Sequence, residues 1–315
     1  MKAALNIFLR ISVTSVCLWL LGRNIDTTQL LALLQRVQLP WIAKAIIVFW
    51  LAQVASSLRC AYIARQLGGA LDLGTSLRAH FVGLWFNQVL PTSLGGDVVK
   101  MAILQRRLGL GLAVRAGILD RVSGLVFLMA AVGLTLPLYR HLLDTRHWLG
   151  ILLLVVIFFA ALVTAITLAH YLIARWQLPP WLSTCLQLLK DILAFRQGHT
   201  LWAQIWTSAI VHANGIASYT LISLALGLPT PWLHYVLIVP LVFLVALMPV
   251  SLAGWGVREV GAVWLFGLVA IPKEQALAIS VCYGLMLVLA ALPGLWLFLS
   301  TRQSPNSTKA EIERT

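Results

Sequence analysis

The sequence predicts an all-α integral membrane protein with about six full transmembrane helices and two re-entrant helical hairpins, arranged as an inverted repeat. Three observations lead there: composition, the lengths of the apolar runs, and a short motif that occurs twice. The 315 residues are 60% hydrophobic and only 10% charged, with 13 tryptophans and a mean hydropathy of +0.91. A water-soluble domain of this length cannot hide so much apolar surface, so lipid is the solvent for most of the chain. Basic residues number 23 and acidic residues 10, a net charge of +13. No run of five basic residues and no nucleic-acid motif accompanies that charge. Cations gathered in cytoplasmic loops against anionic lipid account for it, and no nucleic-acid partner is expected.

Apolar runs of bilayer-spanning length lie at 5–21, 41–63, 116–139, 148–173, 202–226 and 276–299. The first follows Lys2 and contains Arg10, superficially like a signal peptide, but no A-x-A-like cleavage site follows it; it is read as an uncleaved first helix. Two further stretches, 77–106 and 233–270, are broken near their centres by LPTSLGGD and MPVSLAGWG. A break exposed to lipid strands unpaired backbone groups, so each must be buried in protein or line a cavity, hence the re-entrant reading. With a cytoplasmic N-terminus, Arg59, Arg65 and Arg78 fall inside, in a loop at 59–78. Arg106, Arg107 and Arg115 return to the same side after the first hairpin, and the C-terminus is also cytoplasmic. Treating both hairpins as full spans leaves the termini on the same side, so charge separates the two options only locally. Six tryptophans, among them Trp41, Trp148 and Trp232, sit near span ends, where indole rings favour the interface. Residues 181–196 have apolar positions at helical spacing opposite Lys190 and Arg196, which suits a helix lying on the cytoplasmic surface. The polar tail, 301–315, is expected to be disordered. Cys17, Cys60, Cys185 and Cys282 are isolated, so neither a disulfide framework nor a metal site is expected.

The two breaks match each other. Pro91, Ser93, Leu94, Gly96, Val99 and Lys100 lie over Pro249, Ser251, Leu252, Gly254, Val257 and Arg258 at a constant offset of 158 residues. The same offset carries the span at 41–63 onto 199–221 and that at 116–139 onto 274–297. One membrane domain, 1–300, therefore divides into a first repeat at about 1–140 and a second at about 148–300. Three full spans per repeat is an odd number, so the second repeat is inserted upside down, the arrangement of secondary transporters.

These breaks also carry a resemblance. The run from Asn87 to Lys100, of the form N-x-x-L-P-x-x-x-G-G-D-x-x-[KR], resembles the membrane region of lysyl-phosphatidylglycerol synthases and their stand-alone YbhN-like relatives. The run from Pro249 to Glu259 meets a second signature of that family, and Asp120-Arg121 a third. The resemblance implies a flippase-like module in a bacterial inner membrane, acting on a membrane phospholipid or a polyprenyl-phosphate-type lipid. In the synthases a separate soluble domain makes the aminoacylated lipid; the chain stops at Thr315 without room for one, so no enzymatic activity and no cofactor are expected. A second copy of the chain or a lipid-synthesis enzyme stays open as a protein partner.

Residue chemistry points the same way. A helix restarting at Gly95–Gly96, and another at Gly254–Gly256, would aim backbone N–H groups and a positive dipole end at the break. With Lys100 and Arg258 one turn in, and Ser93 and Ser251 as hydroxyl donors, the two ends would cradle a lipid phosphate. Asp97, Glu259, Asp120 and Arg121 are charges within apolar surroundings and so functional candidates, with Asn87 in support. Asp97 can cap its helix or pair with an arginine; Asp120 and Arg121 can pair with each other; Arg258 and Glu259, on different helix faces, are expected to pair elsewhere. His80 can sense protons, bind a head group or simply be a satisfied helix-face histidine, and His212 and Asn214 can line a polar path or bond between helices. Translocation is the leading reading. A non-transporting accessory protein and a membrane-embedded lipid-phosphate transferase are the alternatives, the last lacking a nucleophile or metal cluster.

Overall fold

The computed structural model describes residues 2–90, 95–175, 188, 191, 198–228, 231–248, 251 and 254–302. Ser93, Cys185, the tail from 303 and nearly all of the expected surface helix at 181–196 lie outside the described residues. Among the described residues every regular element is helical. They are α1 (Lys2–Asn24), α2 (Thr27–Gln35), α3 (Leu39–Gln66), α4 (Leu73–Val89), α5 (Gly95–Leu108), α6 (Leu110–Thr135) and a 3-10 turn at Leu136–Tyr139. There follow α7 (Thr145–Arg175), α8 (Gly198–Ala225), α9 (Trp232–Ala246), α10 (Val257–Gly267) and α11 (Lys273–Arg302).

Four stretches are long and apolar enough to cross a bilayer: Leu39–Gln66, Leu110–Tyr139, Thr145–Arg175 and Lys273–Ser300. They differ in what surrounds them. In α11 61% of the most apolar window is buried, against 6% in α7. A helix as apolar as α7 with almost nothing packed on it has its remaining surface suited to lipid, whereas α11 is the central post against which α4, α10, α3 and α2 pack. The segment 22–40, between the first two apolar runs, contains α2, started by Asp26, whose carboxylate accepts from Thr28 N and Gln29 N at 2.9 and 3.2 Å.

Both breaks fall between packed helices, as helix–break–helix pairs α4–α5 and α9–α10. Asp72 begins the first pair, accepting from Thr75 N at 2.8 Å. That backbone bond holds its carboxyl below the ordinary carboxylate range. The cap's contribution is therefore full above the unfolded-state value and is lost as pH falls through the lower folded one. Within the pair, α4 and α5 touch through glycines: a Cβ on Gly96 would overlap Gly83 O. Gly96→Ala must therefore push the two helices apart, at an expected cost of about 1–3 kcal/mol in detergent unfolding. An unchanged stability would mean that the contact is not tight.

The repeat offset recurs in the helices. Moved by 158 residues, α3 covers 197–224, the place of α8, and α4, α5 and α6 fall on α9, α10 and α11. Packing follows the same exchange: α4 against α11 has its counterpart in α9 against α6, and α3 against α6 in α8 against α11. The mates α3 and α8 pack on each other and run antiparallel. Gln38 N, before α3, bonds Ala225 O at the end of α8 at 2.9 Å, while Arg59 near the end of α3 bonds Ser208 near the start of α8, also at 2.9 Å. The main core gathers on the second-repeat side, where Tyr219, Tyr235, Phe266 and Tyr283 interlock, Tyr219 and Tyr283 with centroids 4.3 Å apart.

Candidate functional site

The first break opens onto a cavity of about 610 Å³ lined by α3, α4, α5, α6, α8, α9 and α11. Its centre is Asp120 on α6, which is 3% exposed. Arg59 Nε of α3 donates to Asp120 Oδ1 at 2.8 Å and Lys100 Nζ of α5 donates to Oδ2 at 3.0 Å. A buried carboxylate with a cation on each oxygen is the arrangement that low-dielectric surroundings demand. Arg121, one residue on, is turned by roughly 100° around the helix and reaches Asp97 Oδ2 instead. Asp97 Oδ1 also lies 4.0 Å from Lys100 Nζ, three residues later on α5. Of the roles open to Asp97, the structure favours pairing over capping, and Asp120 and Arg121 look to different partners.

Asn87 prepares the break itself. Its Oδ1 accepts from Gly96 N at 2.8 Å, which ties the end of α4 to the start of α5. Gly95 is buried at the same turn. His80 on α4 faces Asp120 from the side: Nδ1 bonds Ser76 O at 2.8 Å and Nε2 stands 3.8 Å from Asp120 Oδ2. His212 on α8 lines the cavity with Nε2 bonded to Gly124 O at 3.1 Å, while Asn214 bonds Ile210 O within its own helix at 2.7 Å.

Ligand atoms of Cys60, His80 and Asp120 lie within 4.8 Å of one another, a set of metal-binding types. The charges do not suit a cation. Both Asp120 oxygens are committed to Arg59 and Lys100, and a divalent ion would bring two more positive charges beside them.

The second break is built differently, and its described site residues lie outside this cavity. Ser251, Gly254, Gly256, Arg258 and Glu259 are buried, yet none lines it. Glu259 curls back to the start of α10, where its Oε2 accepts from Gly256 N at 2.6 Å. Gly256 has φ +84 and a Cβ there would come within 3.0 Å of Cys17 Cβ on α1, so glycine is required twice over. The anion at this helix end is thus supplied by the protein. Arg258 Nε donates to Glu259 Oε1 at 2.9 Å, correcting the expectation that these neighbours pair elsewhere. Both side chains lean toward the helix N-terminus, and the long arginine spans the turn between them. The Arg258 guanidinium lies between Trp255 and Tyr283, 4.8 and 5.9 Å from the ring centroids. The two basic residues of the motif therefore serve two separate clusters, with Tyr283 between Arg258 and the cavity.

Arg59 was assigned by sequence to a cytoplasmic loop; it is 6% exposed, inside α3 and at the heart of the site. The signal was present, since an arginine within the apolar run 41–63 is a functional candidate by default. Arg59 also borders a smaller cavity of about 230 Å³ lined by Arg65, Gln204 and Thr207 among others.

Known proteins can now be compared with this geometry. A model of the lysylphosphatidylglycerol synthase TM region matches residues 7–294, nearly the whole chain. The chain belongs to that family. Membership makes it a multi-pass membrane protein of lipid metabolism. Compared with curated proteins, the chain has no match. The charged residues that line the cavity all come from the first repeat: the positions offset by 158 from Arg59, His80, Asp97 and Asp120 are Ala217, Ile238, Trp255 and Ala278.

Proposed function

We propose that this protein moves an anionic, phosphate-bearing lipid between leaflets, the head group passing through the cavity at the first break while the tails stay in the bilayer. The observation that carries the reading is the cavity's charge. Three cations, Arg59, Lys100 and Arg121, face two carboxylates, Asp97 and Asp120, leaving one positive charge in excess beside apolar walls such as Phe49, Leu84 and Phe243. A phosphodiester supplies the balancing charge, and its lipid tails suit the apolar wall. Arg121, with 36% of its side chain exposed, is the first contact for that phosphate.

The antiparallel packing of α3 on α8 supports an inverted repeat in which α4–α5 and α9–α10 re-enter from opposite faces. Arg59 then stands as a barrier between the main cavity and the smaller one beside Arg65, on the side assigned to the cytoplasm, and the two would join when its bond to Asp120 opens. The protein sits in a bacterial inner membrane with both termini cytoplasmic. Head-group occupancy is testable with phosphatidylglycerol carrying a photoreactive group on its glycerol. Cross-links are expected on peptides from α3, α4 and α6, and Arg121→Gln should reduce their yield about tenfold, the loss of one charge-assisted contact. Cross-links spread over the lipid-facing surface of α7, and unchanged by the substitution, would contradict the assignment.

A further inference from the structure

His80 lines the cavity with its bonding left incomplete by the contacts around it. Its side chain is 7% exposed, and Nδ1 must carry the proton, because its partner at 2.8 Å is the carbonyl oxygen of Ser76. Nε2 therefore presents a lone pair, buried, lining the cavity and without a hydrogen bond. Opposite it at 3.8 Å is Asp120 Oδ2, which also has only lone pairs to offer. Two acceptors facing each other at a buried position call for a proton between them.

We propose that His80 Nε2 is the proton-binding site of a proton-coupled transporter: one proton binds there together with each lipid phosphate. The inference rests on the cavity's binding an anion. The groups that face His80 set its sign. From α3 come Arg59 and the Cys60 thiol, from α5 Lys100 and, behind it, Asp97, and from α6 Asp120 with Arg121 beyond. Lys100 occupies Asp120 Oδ2 and discourages a further positive charge. A phosphate drawn to Lys100 and Arg121 adds a negative charge to this group, so a proton at Nε2 becomes favourable. The new N–H then donates to Asp120 Oδ2 and frees Lys100 to follow the phosphate. By linkage, the proton must strengthen anion binding by the same factor by which the anion strengthens proton binding. The position matching His80 in the second repeat is Ile238, which cannot bind a proton.

The test uses the full chain in phosphatidylcholine nanodiscs with dihexanoyl-phosphatidylglycerol, whose phosphodiester stays monoanionic throughout. Affinity should rise about a hundredfold between about pH 8 and about pH 5.5, the range where histidine titrates, because one proton taken up per lipid changes the affinity about tenfold per pH unit. Addition of the lipid in weak buffer should take up close to one proton per molecule bound. His80→Asn keeps a donor toward Ser76 and removes Nε2; it should bind as the wild type does at the alkaline end and lose both the pH response and the proton uptake. A wild-type affinity that is flat with pH, no proton uptake, or a pH response that survives in His80→Asn would each overturn the proposal. If the variant does not fold, the wild-type proton count decides alone. Failure to bind the probe at any pH would remove the anion site and this inference with it. Proton-linked binding without movement between leaflets would overturn translocation alone.

Discussion

Asp120→Ala is expected to cost about 3–5 kcal/mol of stability, because removing one partner of a buried ion pair leaves the other charge uncompensated. Here two charges are stranded, Arg59 and Lys100, with side chains 6% and 7% exposed. Unfolding of the detergent-purified protein, followed by tryptophan fluorescence, measures the loss. The same logic predicts partial recovery: adding Lys100→Met to Asp120→Ala removes one stranded cation, so the double variant should be more stable than Asp120→Ala. A loss below about 1 kcal/mol, the range of exposed pairs, would mean that water reaches this cluster freely. Transport is expected to stay lost in both variants, since the cavity's charge pattern is gone even where the fold survives.

Glu259→Ala should have an effect of similar size for a different reason. Glu259 holds two groups at once, the Arg258 guanidinium through Oε1 and Gly256 N through Oε2, and is itself 1% exposed. Its removal strands a buried cation and uncaps α10, for a combined loss of about 3–5 kcal/mol. Glu259→Gln keeps the cap to Gly256 through its one carbonyl oxygen but turns an NH2 donor toward Arg258, so it should lie between wild type and Glu259→Ala. Because this cluster stands behind Tyr283 and outside the cavity, the folded fraction of Glu259→Gln should still move lipid at a rate close to that of the wild type. A rate that falls as far as stability does would place the second break in the transport path and overturn the division into two clusters.

The contrast between these clusters explains what could be read from the sequence. Apolar runs of spanning length located α3, α6, α7 and α11, since in lipid the backbone must bond within the segment and length alone is informative. The motif pair LPTSLGGD and MPVSLAGWG located both breaks, because proline and paired glycines have few uses inside an apolar helix. Side-chain partners were another matter. Lys100 and Arg258 occupy matching positions, yet one meets Asp120 and the other Glu259. Partner choice depends on what the neighbouring helices bring: α6 brings Asp120 to the first break, where the matching position on α11 is Ala278. Arg59 shows the converse error. Charge counting treats an arginine near a span end as topological, but its bond to Asp120, 61 positions later in the chain, is invisible to local pattern.

On the proposed function, a lipid phosphate crosses the membrane by way of the charges around Asp120. The most direct measurement is leaflet accessibility of fluorescent phosphatidylglycerol in reconstituted vesicles, with dithionite added outside. Wild-type protein should render the inner-leaflet label accessible, and Arg121→Gln, which breaks the pair with Asp97 at a side chain 36% exposed and leaves both bonds to Asp120 in place, should slow that exposure about tenfold. Equal rates for wild type, Arg121→Gln and protein-free vesicles would contradict the claim.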